Sequence, residues 1–522
     1  MRKPIMAEQK SIKKRKVALW AIFIIVVLGV AAQLLFTNKV KSALAKDVPA
    51  HIHLEYGSLG TNVLLGSITL DSISFDHKEQ LFNVQAKQVK VSGLGYWALL
   101  TKGNISISDL SLDEPVMVLQ NKKRDSIKTP SNSSKKKDST RIKIENFSIN
   151  KGQLEVLANQ TDSMQLSIQD LNFSVSEIRF DPETAQNKIP FTYNSYELST
   201  QKLYYDMGPY EFLQLDALQF RPEESHITNF VLRSKYSRDE LSKKLLKERD
   251  HFDLAIHTIT LNQFQFGYTT EEPQLHIQEI TLQEPYFQVY RDKLLPDDTS
   301  HKKLYNQALR DLPLNLQVDT IAIQNGTLTY EERLEYDVDP HSLRFTELSA
   351  HINNLHSKNE GKVHVNTEAQ LMGDGHFTLD WSFDPQSKAN NFLASGTLSD
   401  FETESINPFL KTNLRAEVTG TVNQMYFTIS GNEVKASGDM KMNYDHFEFV
   451  VLKKDRLGVN KLLTAVVNIF ARKNSDTDPE GYRYGYFEVE RNTDKSFFNY
   501  LWINLKAGLL HTVTGSGKKK NN

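Results

Sequence analysis

The sequence predicts a mainly β protein: a single N-terminal transmembrane helix, then an elongated, curved antiparallel β-sheet trough, closed by amphipathic helices at the C-terminus. Three observations carry this expectation. One uncharged apolar run stands near the start. One short apolar motif with strand alternation recurs through the middle. Helical stripes of apolar residues gather near the end.

The chain has 522 residues, of which 39% are hydrophobic and 24% charged, with a net charge of −2. That charge fraction excludes wholesale disorder. The near-zero net charge excludes a whole-molecule basic field, so nucleic acid is not an expected partner. Cysteine is absent, which excludes disulfide frameworks, thiolate metal sites and cysteine nucleophiles.

Residues 17–36 read VALWAIFIIVVLGVAAQLLF. An uncharged run of about 20 residues spans the hydrocarbon of a bilayer as a helix. Arg2, Lys3, Lys10, Lys13, Lys14, Arg15 and Lys16 precede it, against Glu8 alone. Positive charge stays on the side of synthesis, so residues 1–16 form a cytoplasmic basic tail and the bulk of the chain is exported. Ala43 and Ala45 leave a cleaved signal peptide as the alternative. The length of the run and the intervening Lys39 and Lys41 favour a retained anchor.

The recurring motif is an apolar pair, two polar or small residues, then a second apolar pair. It starts at Ile68, Val89, Ile105, Ile142, Leu166, Leu213, Leu254, Leu275 and Leu316, with a weaker copy at Leu343. Strict alternation gives a strand one apolar face, and an extra residue flips the rest of the strand to the other face. A β-bulge at Ser108–Asp109 would return Ile105, Ile107, Leu110 and Leu112 to a single face and bend the strand. Bends repeated at one level make a trough with an apolar concave side. Two facing sheets in a sandwich would bury the same pattern as ordinary core. Glu114–Pro115, Lys151–Gly152, Glu284–Pro285 and Asn325–Gly326 come after motif copies and read as turns into a hairpin partner strand, with Asn-Gly as a hairpin signal and the prolines fitting a strand start or an edge.

These signals divide the chain into an N-terminal groove segment (residues 37–120), a basic insertion (121–140), the repeating strands (141–455) and a C-terminal helical and β cap with a basic tail (456–522). The insertion reads as a solvated loop, with anionic headgroups as the alternative contact. Short helices are expected at 239–249 and 299–312, the second opened by Asp297–Asp298. Two longer ones are expected at 456–472 and 494–513. In the last, Phe497, Phe498, Leu501, Trp502, Leu505 and Leu509 form a wide stripe. That helix either plugs the end of the sheet or lies on a membrane.

Chemistry-bearing residues are sparse. His51 and His53 share a strand face but lack a third ligand, so no metal site is expected. Neither HExxH, GxSxG nor a phosphate-cradling GxxxxGK[ST] occurs, and no catalytic residue or cofactor is expected.

Residues 89–119, VKVSGLGYWALLTKGNISISDLSLDEPVMVL, resemble the AsmA-like family of bacterial envelope proteins. There the apolar segment Tyr96-Trp97-Ala98-Leu99-Leu100 leads into a strand ending before Pro115. Residues 420–454 with the helical segments after them are similar to that family's closing region. The resemblance implies a single-pass bacterial inner-membrane protein with a periplasmic repeating β-groove. It further implies phospholipid movement between the membranes or outer-membrane homeostasis. Ile105, Ile107, Leu110, Leu112, Leu254, Ile256, Leu275, Ile277, Leu316 and Val318 would line the groove. Phospholipid would be the partner. The inner membrane would be met through residues 17–36, and the outer membrane or an envelope protein through the C-terminal helices. The alternative is a non-transporting envelope scaffold or an assembly factor for outer-membrane proteins.

Overall fold

The computed structural model describes residues 5–515, apart from 47, 49–50, 78–81, 97–103, 122–140, 159–162, 185–186, 269–271 and 453–477. The expected insertion (save Asn121), the helix at 456–472 and the segment from Trp97 to Leu100 lie outside the described residues. The chain divides into two compact units, residues 1–203 and 204–522.

The first unit opens with the helix Ile5–Lys46. Among the described residues its segment Phe23–Lys46 alone is long and apolar enough to cross a membrane, and none of that apolar window is buried. That lack of burial sets it apart from a core helix, and a retained anchor and a signal sequence share the property. Seven strands come next: β1 (Ile52–Asn62), β2 (Ser67–His77), β3 (Phe82–Ser92), β4 (Ile105–Asp113), β5 (Val116–Asn121), β6 (Ile142–Ala158) and β7 (Met164–Phe180). β1, β2 and β3 pair antiparallel in order. β3 then pairs antiparallel with both β4 and β5. Both of these pair parallel with β6 in one unbroken register, from Ile105 opposite Ile142 to Asn121 opposite Ala158. β6 pairs antiparallel with β7.

This wiring overturns two expected hairpins. β4 and β5 are one line of chain interrupted at Glu114–Pro115, and β6 runs straight through Lys151–Gly152. Glu114 and Lys151 adopt left-handed φ of 49° and 53°, which kinks a strand without reversing it. The sheet is therefore antiparallel apart from a parallel pairing, which requires a crossover connection and not a tight turn.

The second unit repeats the arrangement. Its early strands are β9 (Glu211–Phe220), β10 (Glu224–Ser234), β11 (Asp250–Tyr268), β12 (Pro273–Gln283), β13 (Tyr286–Asp292), β14 (Asn315–Arg333) and β15 (Leu343–His356), while β8 (Ser195–Asp206) straddles the boundary. β11 pairs antiparallel with β12 and β13, both pair parallel with β14, and β14 pairs antiparallel with β15. The details match as well. Gln153 N–H donates to the Pro115 carbonyl (2.7 Å) and Thr327 N–H to that of Pro285 (2.8 Å). A Cβ on Gly152 would sit 3.3 Å from the Pro115 ring, and one on Gly326 3.1 Å from the Pro285 ring. Each proline packs on a glycine of the neighbouring strand, so β3–β7 and β11–β15 are two copies of one five-strand module. Asn325–Gly326, read as a hairpin, is the second copy of the kink.

The second crossover carries the helix Tyr305–Arg310, shorter than the expected 299–312. Asp298 does not start it, because its carboxylate is held by Lys247 and Lys302. The helix expected at 239–249 spans Arg238–Lys244, opened by a capping box between Ser237 and Glu240.

Beyond β15, the strands β16 (Val363–Leu371), β17 (Gly375–Phe383), β18 (Phe392–Glu402), β19 (Ala416–Gly431), β20 (Lys435–Val451) and β21 (Arg483–Glu490) pair antiparallel in sequence order. The chain's last described helix, Phe497–Thr514, is capped by Ser496 and ends at Gly515 with φ of 68°. Just before it, Lys495 reaches the buried Glu248 carboxylate (3.0 Å), which also takes Lys293 (2.6 Å). Burial alone would raise the Glu248 pKa, but the two ammonium partners outweigh it and hold the carboxyl at about 2.

A carboxylate whose folded pKa is depressed adds stability that is present above its unfolded value and lost as pH falls toward the folded one. The window here runs from about 4.5 down to about 2. The thermal midpoint of the wild type is therefore expected to drop across that window, and Glu248→Gln is expected to flatten part of the drop. Calorimetric scans of both chains at stepped pH provide the check.

Candidate functional site

The candidate site is the apolar strand face. Directly opposed residues on paired strands point to the same side of a sheet, so register reveals which motif residues meet. In the first unit one rung runs Leu59, Leu70, Val89, Leu112, Ile149 and Phe173 across six strand lines. The next runs Ile68, Val91, Leu110, Phe147 and Val175. Ile107 joins Ile144 and Ile178, and Ile105 joins Ile142 and Phe180.

In the copies at Ile68, Val89, Leu166 and Leu343 a left-handed kink sits inside the motif. Ser72, Asp170 and Glu347, each the second residue of a motif's middle dipeptide, have left-handed φ of 50°, 49° and 51°, and Gly93 has 69°. Between β6 and β7 the extra residue at Lys151 is offset by one at Asp170, so the register before and after is the same. β14 and β15 do the same with Asn325 and Glu347. The bulge expected at Ser108–Asp109 takes a different form. The β4–β6 register passes it unchanged, and Gly93, just past the end of β3, supplies the left-handed residue opposite it. The outcome for the side chains is the expected one, since Ile107 and Leu110 pack in one cluster with Ile144, Val175 and Ile178.

Burial separates the parts of this face. Ile105, Ile107, Leu110 and Leu112 are all half-buried, as are Leu70, Val89, Ile149 and Phe173 on their rungs. Neighbours on adjacent strands flank them, while Val175, Ile144 and Ile178 on the neighbouring rungs are buried. In the second unit Leu254 lies in the rung Leu213, Leu232, Leu254, Phe287 and Leu328. Leu275 lies opposite Leu316 and Ile277 opposite Val318. Leu254, Leu275 and Leu316 are half-buried, while Ile256, Ile277 and Val318 are buried.

The groove segment expected to continue to residue 455 changes character after β15. Val363, Ile429, Met440, Met442 and Tyr444 are fully buried in a core completed by Phe497, Tyr500 and Leu501 of the last helix. Of the six residues expected on a membrane-facing stripe, only Phe498 is exposed. Phe497 and Leu501 are buried, and Trp502, Leu505 and Leu509 are half-buried. Phe497 stacks on Trp381 with centroids 4.5 Å apart. The helix thus packs its buried stripe against its own sheet. The sequence signal for this closed region was glycine in mid-strand. Gly396, Gly431 and Gly438 each lie opposite a phenylalanine, at Phe427, Phe392 and Phe487.

His53 meets Glu55 at 3.6 Å, and His51 packs near His77. Among the described residues no group of three His, Cys, Asp or Glu is placed to hold a metal. No family model matches the chain, and no curated protein matches it.

The last helix lies backbone to backbone on β21. A Cβ on Gly485 would come within 2.5 Å of Thr512 Oγ1 and 2.7 Å of its amide. Overpacking of this kind costs about 1–3 kcal/mol. Gly485→Val is expected to lift the helix and lower the unfolding midpoint in denaturant titration, with increased amide exchange over Phe497–Thr514.

Proposed function

We propose that this is a membrane-anchored bacterial envelope protein that carries phospholipids along an apolar β-groove. Residues 17–36 hold it in the inner membrane, with residues 1–16 cytoplasmic and the strands in the periplasm. The single observation that supports this reading is the row of half-buried apolar residues on the rungs of the first unit, Leu70, Val89, Leu112, Ile149 and Phe173 among them. Half-buried apolar side chains such as Leu70, Val89, Leu110 and Leu112 leave apolar surface that acyl chains can cover. Repeated kinks at one level curve such a sheet into a trough, with headgroups left in water. The resemblance of residues 89–119 and 420–454 to the AsmA-like family points the same way. The closed core around Phe497 then acts as the terminal cap.

The test places charge in the path. Leu110→Glu and Leu112→Glu sit on half-buried positions, so the fold is expected to persist. A charge in a hydrocarbon environment costs about 3 kcal/mol, roughly a hundredfold in lipid occupancy. Transfer of a fluorescent phospholipid between donor and acceptor vesicles should fall accordingly, and Ser111→Glu, on the opposite side of the same strand, should leave it unchanged. Equal transfer by all three variants would exclude the groove. Loss of outer-membrane protein assembly with lipid transfer intact would favour the scaffold.

A further inference from the structure

We propose that the hairpin tip joining β1 and β2, residues 62–66, is a membrane wedge seated in the interface of the bilayer that the N-terminal helix spans. The inference rests on the anchor reading above and adds where the sheet meets the lipid.

The tip is fixed to the apolar run itself. Gln33 is a polar residue inside residues 17–36, three residues before the end of the run, or about 4.5 Å along a helix axis. Its side-chain nitrogen donates to the Thr61 carbonyl (2.7 Å) and hydroxyl (2.8 Å). Its side-chain oxygen accepts from Val63 N–H (2.7 Å). The Thr37 and Thr61 hydroxyls meet at 2.6 Å one turn further on. Whatever depth Gln33 has in the membrane, the tip shares it.

At that depth the tip exposes two leucines, Leu64 at 89% and Leu65 at 68%. Large apolar side chains at the end of a turn are costly in water and favourable in lipid. Six backbone groups beneath them have partners within the protein, which suits an apolar medium. Asn62 Oδ1 accepts from the Leu64 (3.0 Å) and Leu65 (3.1 Å) amides. The Val63 carbonyl accepts from the Tyr96 hydroxyl (2.9 Å). The Leu65 and Gly66 carbonyls accept from the Gly93 and Leu94 amides. Tyr96 also packs edge-on against Phe36, with centroids 5.7 Å apart, an aromatic contact at the level where such rings favour the membrane–water boundary. The occupant of Leu64 and Leu65 is therefore lipid, and the mouth of the proposed groove is held against the membrane.

The chain has no cysteine, so single-cysteine labelling of the full-length protein is direct. An environment-sensitive NBD fluorophore is placed by Leu64→Cys, Leu65→Cys, Leu28→Cys or Glu55→Cys. Each protein is reconstituted into phosphatidylethanolamine–phosphatidylglycerol vesicles with or without doxyl-labelled lipid. Glu55 is exposed and lies about 23 Å from the tip along β1. The labels at 64 and 65 should shift to the blue and lose emission to a shallow doxyl group, the label at 28 to a deep one, and the label at 55 to neither. If position 28 is quenched while 64 and 65 behave like 55, the anchor stands and the wedge is wrong. If position 28 is unquenched too, the anchor reading fails and the wedge with it.

Discussion

A left-handed residue inside a strand is what the rest of this structure depends on. Side chains alternate across a strand with a period of two, so the motif at Ile105, Ile107, Leu110 and Leu112 would split its apolar pairs between opposite faces in a regular strand. In the copies at Ile68, Val89, Leu166 and Leu343 this is prevented by Ser72, Gly93, Asp170 and Glu347, which take φ near +50° to +70° at the middle of the motif, and Gly93 lies against Ser108 of the Ile105 copy. A non-glycine residue there is strained by about 1–2 kcal/mol. The compensation is that both apolar pairs bury against their neighbours. Because an extra residue on β6 is answered by one on β7, the kink costs the sheet no register.

The same device organises the chain at a larger scale. The Pro115–Gly152 and Pro285–Gly326 contacts clasp a kinked strand onto a parallel neighbour, and each clasp belongs to a five-strand module with one crossover. The segments that disturb the repeat in sequence, around residues 121–140 and 299–312, occupy the same position in the two modules. They are the connections that parallel pairing requires. After β15 the logic changes, because the bulge at Glu347 is not answered on β16. The later strands pack around Phe497, Tyr500 and Leu501, and the apolar face is filled by the protein's own helix.

The motif was legible in the sequence because alternation and its interruption are local properties. Ile107 and Leu110 could be assigned to one face without knowing which strands they paired with. The clasps were not legible. Asn325–Gly326 has the composition of a hairpin turn, and only the pairing of β14 with both β12 and β13 shows that the chain continues through it. The partition between half-buried and closed regions was hidden for a related reason. Leu112 and Ile429 look alike in their strands, and what distinguishes them is the helix lying over one and not the other. The glycines opposite Phe392, Phe427 and Phe487 were the available sign of that difference.

The central claim is that acyl chains occupy the apolar face of the first unit. The most direct measurement is photocrosslinking in cells, with benzoylphenylalanine placed at Leu112 or, one residue away on the other face, at Ser111 of the full-length chain. The account predicts phospholipid adducts at position 112, detected by mass spectrometry of the purified protein, and none at 111. Protein adducts alone at 112, or lipid adducts equally at both positions, would contradict it.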